Sequence, residues 1–311
     1  MTAPILTPDA GAIARAATCL RGGGLVAMPT ETVYGLAGDA TNPAAVARIY
    51  EVKERPVFNP LIAHVASADA AFMQGDFSDA AKSLADAFWP GPLTFVVHAV
   101  EATTVCDLAR AGLPTLALRV PAHPVAQALL GQVGVPLVAP SANPSGRISP
   151  TKAAHVSADL GEKIDFILDG GPCDVGLEST VIDARSDTPV LLRPGAISGE
   201  QIDAIWPGLR LGGDHDAPIS PGQLLRHYAP NARLRLNAET VQEGEVLLGF
   251  GAVEAAANLS PSGNLAEAAA NLFSMLRQLD TANNRIAVSP IPRTGLGIAI
   301  NDRLERAANR D

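Results

Sequence analysis

LVAMPTETVYGLAGDATNPAAVARIYEVKERPVFNPLIAHV, residues 25–65, holds the pattern from which the fold follows. A short apolar run at 25–28 reads as a strand and passes straight into a polar tip, PTETVYGL, at 29–36. Asn42 and Pro43 then start a helix on which Val46, Ile49, Tyr50 and Lys53 share one face. Pro56 keeps that helix short, and a second apolar run follows at 61–65. Strand, polar tip, helix, strand is the unit of an α/β domain with helices packed on a largely buried sheet.

The same alternation extends outward. Upstream, Thr7 suits a helix cap with Pro8 in the first position, and Gly22 to Gly24 stop that helix. Downstream, strands are expected at 93–99, 115–120, 136–139, 166–168, 179–183 and 190–192, and helices at 79–88, 124–130, 150–160 and 199–206. From 208 to 236 the chain turns to Gly, Pro, Asp and His, which reads as a linker. A small α/β unit follows, with a strand at 246–250 and a helix opened by Asn264, Glu267 standing three residues on as in a capping box. Leu265, Ala269, Leu272, Leu276 and Leu279 line its inner face, and a strand at 286–289 and a helix at 298–308 complete the unit. The expected division is a catalytic domain over 1–207, a linker over 208–236 and a small α/β domain over 237–311.

Composition narrows the function. The chain has 311 residues, 47% hydrophobic and 18% charged, enough to bury a sizeable core. Its net charge is −9, from 23 Lys and Arg against 32 Asp and Glu, which argues against a protein that grips nucleic acid or an anionic membrane. The acidity lies almost wholly before residue 208, so the placing of the few cations there matters. Three cysteines with no CxxC pair fit a reducing compartment and disfavour a disulfide framework or structural zinc. With no signal-peptide pattern and no apolar stretch long enough to span a bilayer, a soluble, cytoplasmic protein is expected.

Common catalytic signatures are missing: there is no GxxxxGK[ST] loop, no HExxH and no GxSxG. What remains is a set of polar residues at the ends of apolar strands, where open α/β sheets place ligands. These are PTETVYGL, Lys53-Glu54-Arg55 with Asn59 and His64, TLALR at 115–119, APSAN at 139–143 with Ser149, Glu178-Ser179-Thr180, and LRPG at 192–195. Some have plain alternatives. Lys53 and Arg55 suit a helix C-terminus, His64 suits a hydrogen-bonded core, and Ser149 before Pro150 suits an N-cap. Arg119 and Arg193 are different, because an arginine in an apolar strand needs an anionic partner such as a ligand carboxylate or phosphate.

Together these segments resemble the YrdC-like family, whose Lys-x-Arg…Ser-x-Asn signature is Lys53, Arg55, Ser141 and Asn143 here. RPVFNPLIAHV, FWPGPLTFVV, APSANPSG, LESTVID and LRPGAI carry the likeness across residues 10–200. SPGQLLRHYAP at 220–230 and GLGIAINDRLERAA at 295–308 are similar to the longer, two-domain form. The resemblance implies a twisted open sheet with flanking helices around a large concave cavity. It implies synthesis of L-threonylcarbamoyladenylate from L-threonine, bicarbonate or CO2, and ATP, with release of pyrophosphate. The product serves threonylcarbamoylation of adenosine 37 in ANN-decoding tRNAs, which other proteins carry out.

By the same resemblance, Lys53, Arg55, Ser141 and Asn143 are catalytic. Lys53, Arg55, Asn59, Thr115, Ser141, Asn143, Ser149, Arg193 and Tyr228 bind ATP. Thr32, His64, Arg119, the Ala139 backbone and Ser179 hold threonine. Arg119 is expected on the threonine carboxylate, and the residue that reads the hydroxyl stays open between Thr32, His64 and Ser179. Mg²⁺ is expected to arrive with ATP, with no dedicated protein site. The linker is expected to fold over the cavity as a lid that carries Tyr228. Partners are the substrates and, transiently, the transferase machinery; neither a membrane nor tight nucleic-acid binding is expected. One rival is an RNA-binding or ribosome-maturation module using the same basic cavity. Another is a carbamoyl-transferring relative from hydrogenase maturation, whose zinc-finger and acylphosphatase-like regions have no counterpart here.

Overall fold

The computed structural model describes residues 2–212, 227–280 and 285–309, so residues 213–226 of the expected lid lie outside the described residues. The chain opens with strand β1 (Ile5–Leu6), helix α1 (Ala10–Arg21), β2 (Val26–Met28), β3 (Gly35–Asp39), α2 (Pro43–Lys53) and β4 (Ile62–His64). Helix α3 (Ala68–Phe72), β5 (Gly75–Asp76), α4 (Asp79–Phe88), β6 (Leu93–Ala99), β7 (Thr115–Arg119), α5 (Pro124–Val133) and β8 (Leu137–Val138) follow. The large domain ends with α6 (Ala153–Leu160), β9 (Phe166–Leu168), β10 (Thr180–Asp183), β11 (Val190–Arg193), α7 (Gly199–Asp203) and β12 (Arg210–Leu211). Then come β13 (Arg233–Arg235), β14 (Val246–Gly249), β15 (Ala257–Asn258), α8 (Leu265–Asp280), β16 (Arg285–Val288) and α9 (Leu296–Ala308).

Two sheets result. The large one is mixed, in the order β1-β9-β2-β3-β8-β4-β7-β6-β10-β11-β12, with β5 on β6. The small one is parallel, in the order β13-β16-β14-β15, packed under α8 and α9. Its edge strand, Arg233–Arg235, comes from the end of the 208–236 segment. Among the described residues no helix is long and apolar enough to cross a membrane.

Helix faces follow the sequence pattern. Helix α2 buries Val46, Ile49, Tyr50 and Lys53 together, so an ammonium shares a face with apolar side chains. It stops at Glu54, which takes a left-handed conformation (φ 53°), and Pro56 follows. Helix α8 buries Ala268, Ala269, Leu272, Phe273, Leu276 and Leu279.

Three caps differ from expectation. Helix α1 is capped by Asp9, whose carboxylate accepts from the Ala12 N–H, so Thr7 lies outside the helix. Helix α6 begins at Ala153 with Lys152 as its uncapped boundary residue. Ser149 is therefore no N-cap: its hydroxyl donates to Glu178 Oε1 instead. At α8 only half of the capping box forms. Asn264 accepts from the Ala266 and Glu267 N–H groups, while the Glu267 carboxylate takes the Ser260 hydroxyl. At the first two a nearby carboxylate takes the place that spacing alone gave to another group, and at α8 the Ser260 hydroxyl takes the Asn264 N–H in place of Glu267.

The two domains touch closely at Gly176 (φ 72°), where an added Cβ would lie 2.5 Å from Ala270 Cα in α8. Gly176→Ala should therefore lower stability by roughly 1–3 kcal/mol. Gly112→Ala shares the left-handed conformation (φ 73°) but meets nothing within 4 Å, and should cost less. Thermal unfolding of the two variants measures the difference; equal losses would show that the interdomain contact contributes nothing.

Candidate active site

Strand ends converge on one cavity. Parallel strands β4 and β7 pair His64 with Arg119, so these side chains emerge side by side. The loop after β2 brings Thr32, and β8 runs into Ala139, Pro140 and Ser141. Antiparallel β10 and β11 pair Val181 with Arg193, which sets Arg193 beside Ser179. Arg55 enters just after α2, and His227 and Tyr228 come over from the second domain's side. Of the residues expected on sequence grounds, Thr32, Arg55, His64, Arg119, Ala139, Ser141, Ser179, Arg193 and Tyr228 line this cavity.

Five others do not line it. Lys53 is 1% exposed, and its ammonium donates to the backbone carbonyls of Ser141 and Asn143. Asn143 donates from Nδ2 to the Pro144 and Arg147 carbonyls, which folds the loop on itself. Asn59 is 0% exposed, and neither its Nδ2 nor its Oδ1 has a hydrogen-bond partner among the described residues. Thr115 lies at the opposite end of β7 from Arg119, buried and in register with His98. Ser149 is buried on Glu178.

The arginines are held by oxygens of the fold. Arg119 donates from Nε to Gly91 O (3.2 Å), from Nη1 to Thr32 Oγ1 (2.9 Å) and from Nη2 to Glu31 Oε1 (2.6 Å). Glu31 in turn accepts from the Ala122 N–H. Arg193 donates from Nε and Nη2 to Ser179 O and from Nη2 to Ser179 Oγ, itself 2.8 Å from Thr94 Oγ1. Arg55 donates to the carbonyls of Asn59 (3.2 Å) and Pro60 (2.9 Å) and meets no carboxylate among the described residues. Glu178 joins the domains: its Oε2 accepts from Arg303 Nε of α9 (2.9 Å).

Charge sets the protonation states. Burial and the neighbouring Arg55 guanidinium push the Lys53 ammonium well below its ordinary pKa. Burial brings Arg55 down to about 10. Burial, with Arg119 nearby, lowers His64 to about 3. His227 also falls well below its ordinary value through burial and then the cations Arg55, Lys53, Arg193 and Arg303. Both histidines are therefore neutral near pH 7. Burial opposes ionisation of Glu31 and Glu178, but Arg119 and Arg303 outweigh it and hold both below the usual carboxylate range.

Five cations, Lys53, Arg55, Arg119, Arg193 and Arg303, thus surround or back the cavity against the two carboxylates Glu31 and Glu178, with Asp302 behind at Arg303. This donor set suits anions. It does not fit a divalent cation: both carboxylates are engaged by arginines, and no group of three or more His, Cys, Asp or Glu gathers among the described residues. His227 and Tyr228 fill the concave face and leave a cavity of about 50 Å³.

Glu31, Glu178, His227 and Arg303 were not assigned roles from sequence. Glu31 and Glu178 stood inside quoted motifs, but their partners lie 88 and 125 residues away. Arg303 carried a usable signal. It sits on the stripe formed by Ile300, Leu304 and Ala307, where a solvated arginine has no place.

Comparison with known proteins agrees with the architecture. A family model for Sua5/YciO/YrdC, described as telomere recombination, matches residues 18–195, and a second, described as threonylcarbamoyl-AMP synthase, C-terminal domain, matches 197–309. The threonylcarbamoyl-AMP synthase of Bacillus subtilis is 41% identical over 321 residues, covering 95% of this chain and 92% of the relative. That of Pyrococcus abyssi is 40% identical, covering 94% of this chain and 93% of its own. The crystal structure of P. abyssi Sua5 complexed with L-threonine superposes with a TM-score of 0.89 at 38% identity, covering 96% of this chain and 95% of the other.

The buried histidines make a pH prediction. A folded-state pKa below the unfolded value of 6.5 means the unfolded chain takes the proton first, so this stability is present above about pH 6.5 and lost as pH falls toward 3. Replacing His64 with Gln should flatten the fall in unfolding free energy between pH 6.5 and 5. The loss tied to Glu31 and Glu178 should survive, because their lowered pKa values act only below the unfolded value of 4.5. Denaturant unfolding at a series of pH values tests this; an unchanged slope above pH 5 would mean His64 is not held neutral.

Proposed function

The chain belongs to the Sua5/YciO/YrdC family in its two-domain, threonylcarbamoyl-AMP synthase form, and from that membership we propose how its cavity works. The enzyme makes L-threonylcarbamoyladenylate from L-threonine, bicarbonate or CO2, and ATP, releasing pyrophosphate. The product provides the threonylcarbamoyl group for adenosine 37 of ANN-decoding tRNAs. Most of the chemistry resides in the reactants. The threonine amine captures CO2 as a carbamate, and a carbamate oxygen attacks the α-phosphorus while pyrophosphate leaves. Every reacting species is anionic, so the protein's task is to align them and offset their charge.

The observation that carries this reading is Arg55. Its guanidinium is buried without a carboxylate among the described residues, beside the equally buried Arg193. An uncompensated buried cation is costly unless an anion completes it, and a triphosphate does so. We assign Arg55, Ser141, Arg193 and Tyr228 to ATP contacts. The Asn59 amide, the Asn143 Oδ1 and the Tyr228 hydroxyl, which have no hydrogen-bond partner among the described residues, are three further groups suited to a ligand on that side. Lys53 works here through the loop, fixing the Ser141 and Asn143 backbone with its ammonium. Ser149 lies behind the ATP side through Glu178, and Thr115 stands at the far end of β7 from Arg119.

Thr32, His64, Arg119, the Ala139 backbone and Ser179 form the threonine side. A guanidinium has five N–H donors. The three of Arg119 named above go to the protein, which leaves donors for the threonine carboxylate. Mg²⁺ belongs with the incoming triphosphate, and no step is assigned to it. A cytoplasmic setting and transient contact with the transferase machinery complete the proposal.

At about 50 Å³ the cavity is too small for ATP and must open before ATP enters. The stretch from His227 to Leu236 is the lid in this reading, and its return shields a labile mixed anhydride from water. A closed pocket with buried cations favours this reading over the RNA-binding one, since a phosphodiester backbone needs exposed charge.

Incubation with ATP, bicarbonate and L-threonine, followed by mass spectrometry, should show the carbamoyl adenylate and threonine-dependent pyrophosphate. Arg55→Ala should lower kcat/KM for ATP about a hundredfold or more; full activity would overturn the site assignment. Tyr228→Ala should raise the KM for ATP and increase the hydrolysed share of product, whereas unchanged kinetics would rule out the lid.

A further inference from the structure

Arg303 is the largest fully buried side chain of the protein among the described residues, and it comes from the small domain. A guanidinium taken wholly out of water is weak evidence of a stabilising device, because a well-packed apolar side chain often serves as well. Apart from an ion pair with its neighbour Asp302, its contacts lead to the other domain's site or to the strap over it. Nε donates to Glu178 Oε2 (2.9 Å), and the other Glu178 oxygen accepts the Ser149 hydroxyl. Nη1 donates to the carbonyl of Pro194, the residue after Arg193 (2.8 Å), and to Asp302 Oδ2 (2.7 Å). The guanidinium carbon lies 5.3 Å from the centre of the Tyr228 ring.

The strap itself is seated by the same domain. Tyr228 holds a left-handed backbone (φ 62°), unfavourable for a bulky residue, so its surroundings must impose it. Phe273 of α8 stacks on its ring at 5.6 Å and 26°, and the His227 N–H donates to the Arg306 carbonyl of α9 (3.3 Å). A second arginine repeats the arrangement. Arg277 of α8 donates to the backbone carbonyls of Ile148 and Ser149 and pairs with Asp159 of α6. Ser149 is thus fixed through its carbonyl by one helix of the small domain and, by way of Glu178, through its hydroxyl by the other.

We infer that the small C-terminal domain is a positioning part of the ATP side of the active site, with Arg303 its principal contact: it orients Glu178, the Arg193–Pro194 turn and the Tyr228 ring together. Arg303 acts through these groups and touches no substrate. The inference rests on the assignment of ATP to the Arg55–Arg193 side. It specifies an asymmetry that general loosening would not give: among the described residues Thr32, His64 and Arg119 of the threonine side receive no hydrogen bond or ion pair from either arginine, and only Ser179 of that side adjoins the groups they hold.

Steady-state pyrophosphate release, with ATP and L-threonine varied in turn, tests this in Arg303→Lys, Arg303→Met and Arg303→Met/Glu178→Gln, with thermal unfolding alongside. Arg303→Lys keeps a charge for Glu178 but loses the fork that also reaches Pro194. It should raise the KM for ATP several-fold and leave that for threonine within twofold. Arg303→Met should raise it about tenfold or more, as expected for loss of a charge-assisted hydrogen bond, and should melt earlier because Glu178 is left unpaired. Adding Glu178→Gln should restore the melting temperature while the KM for ATP stays high. Arg293→Met, which removes an exposed ion pair with Glu305 in the same domain, should change neither KM. Folded Arg303 variants with the wild-type KM for ATP, or with both KM values raised alike, would overturn the inference. A wild-type enzyme without threonine-dependent pyrophosphate release would instead overturn the functional reading beneath it.

Discussion

A cluster of cations held out of water with too few carboxylates is the condition that the rest of this structure answers to. Lys53, Arg55, Arg119, Arg193 and Arg303 are all buried, and among the described residues the carboxylates that meet them are Glu31, Glu178 and, at Arg303, Asp302. Bringing such charges together is unfavourable through both desolvation and mutual repulsion. The fold meets it with oxygens that carry no net charge: the carbonyls of Ser141, Asn143, Asn59, Pro60, Ser179, Gly91 and Pro194 each accept from one of the five. These partners orient the donors without cancelling their charge. The cavity therefore keeps a positive potential for an anionic substrate, which full carboxylate pairing would have removed.

Carbonyls free to accept from side chains occur where a strand or helix has just ended, which explains why the site assembles at element ends. Gly91 precedes β6, Asn59 and Pro60 precede β4, Ser141 and Asn143 follow β8, and Ser179 and Pro194 flank β10 and β11. Irregular backbone of this kind is less constrained than the sheet beneath it. The docking of α8 and α9 supplies the missing constraint, with the close approach at Gly176 setting how near the helices come.

How much of this was legible in the sequence depends on the distance over which each signal acts. Strands β6 and β9 and helix α4 match their expected bounds, because apolar runs and helical periodicity are local. Strand β3, GLAGD, was missed: two glycines and an aspartate hide a strand that is buried only because β2 and β8 flank it. The arginines at the ends of β7 and β11 stood out as charges in apolar runs, and the structure brings both to the cavity. Their fixed partners did not stand out. A carboxylate's identity as a partner is decided by folding over 88 or 125 residues, and Ser149 shows the consequence. Local spacing favoured a helix cap there, whereas a buried glutamate binds the same hydroxyl more strongly than a backbone N–H could.

Tyr228 brings these threads together. Its ring occupies the cavity that the cations create, its hydroxyl is buried without a hydrogen-bond partner among the described residues, and its backbone is strained. Each feature raises the free energy of the closed strap, so seating it requires compensation from Phe273, Arg303 and the Arg306 carbonyl. On the proposed reading, entering ATP displaces this ring, and the strap returns once nucleotide and threonine are aligned. Too firm a seat would exclude ATP, and too loose a one would admit water to the mixed anhydride. The small domain holds the strap through Phe273, Arg303 and the Arg306 carbonyl, while Arg55, Arg119 and Arg193, the cations that line the cavity, belong to the large domain.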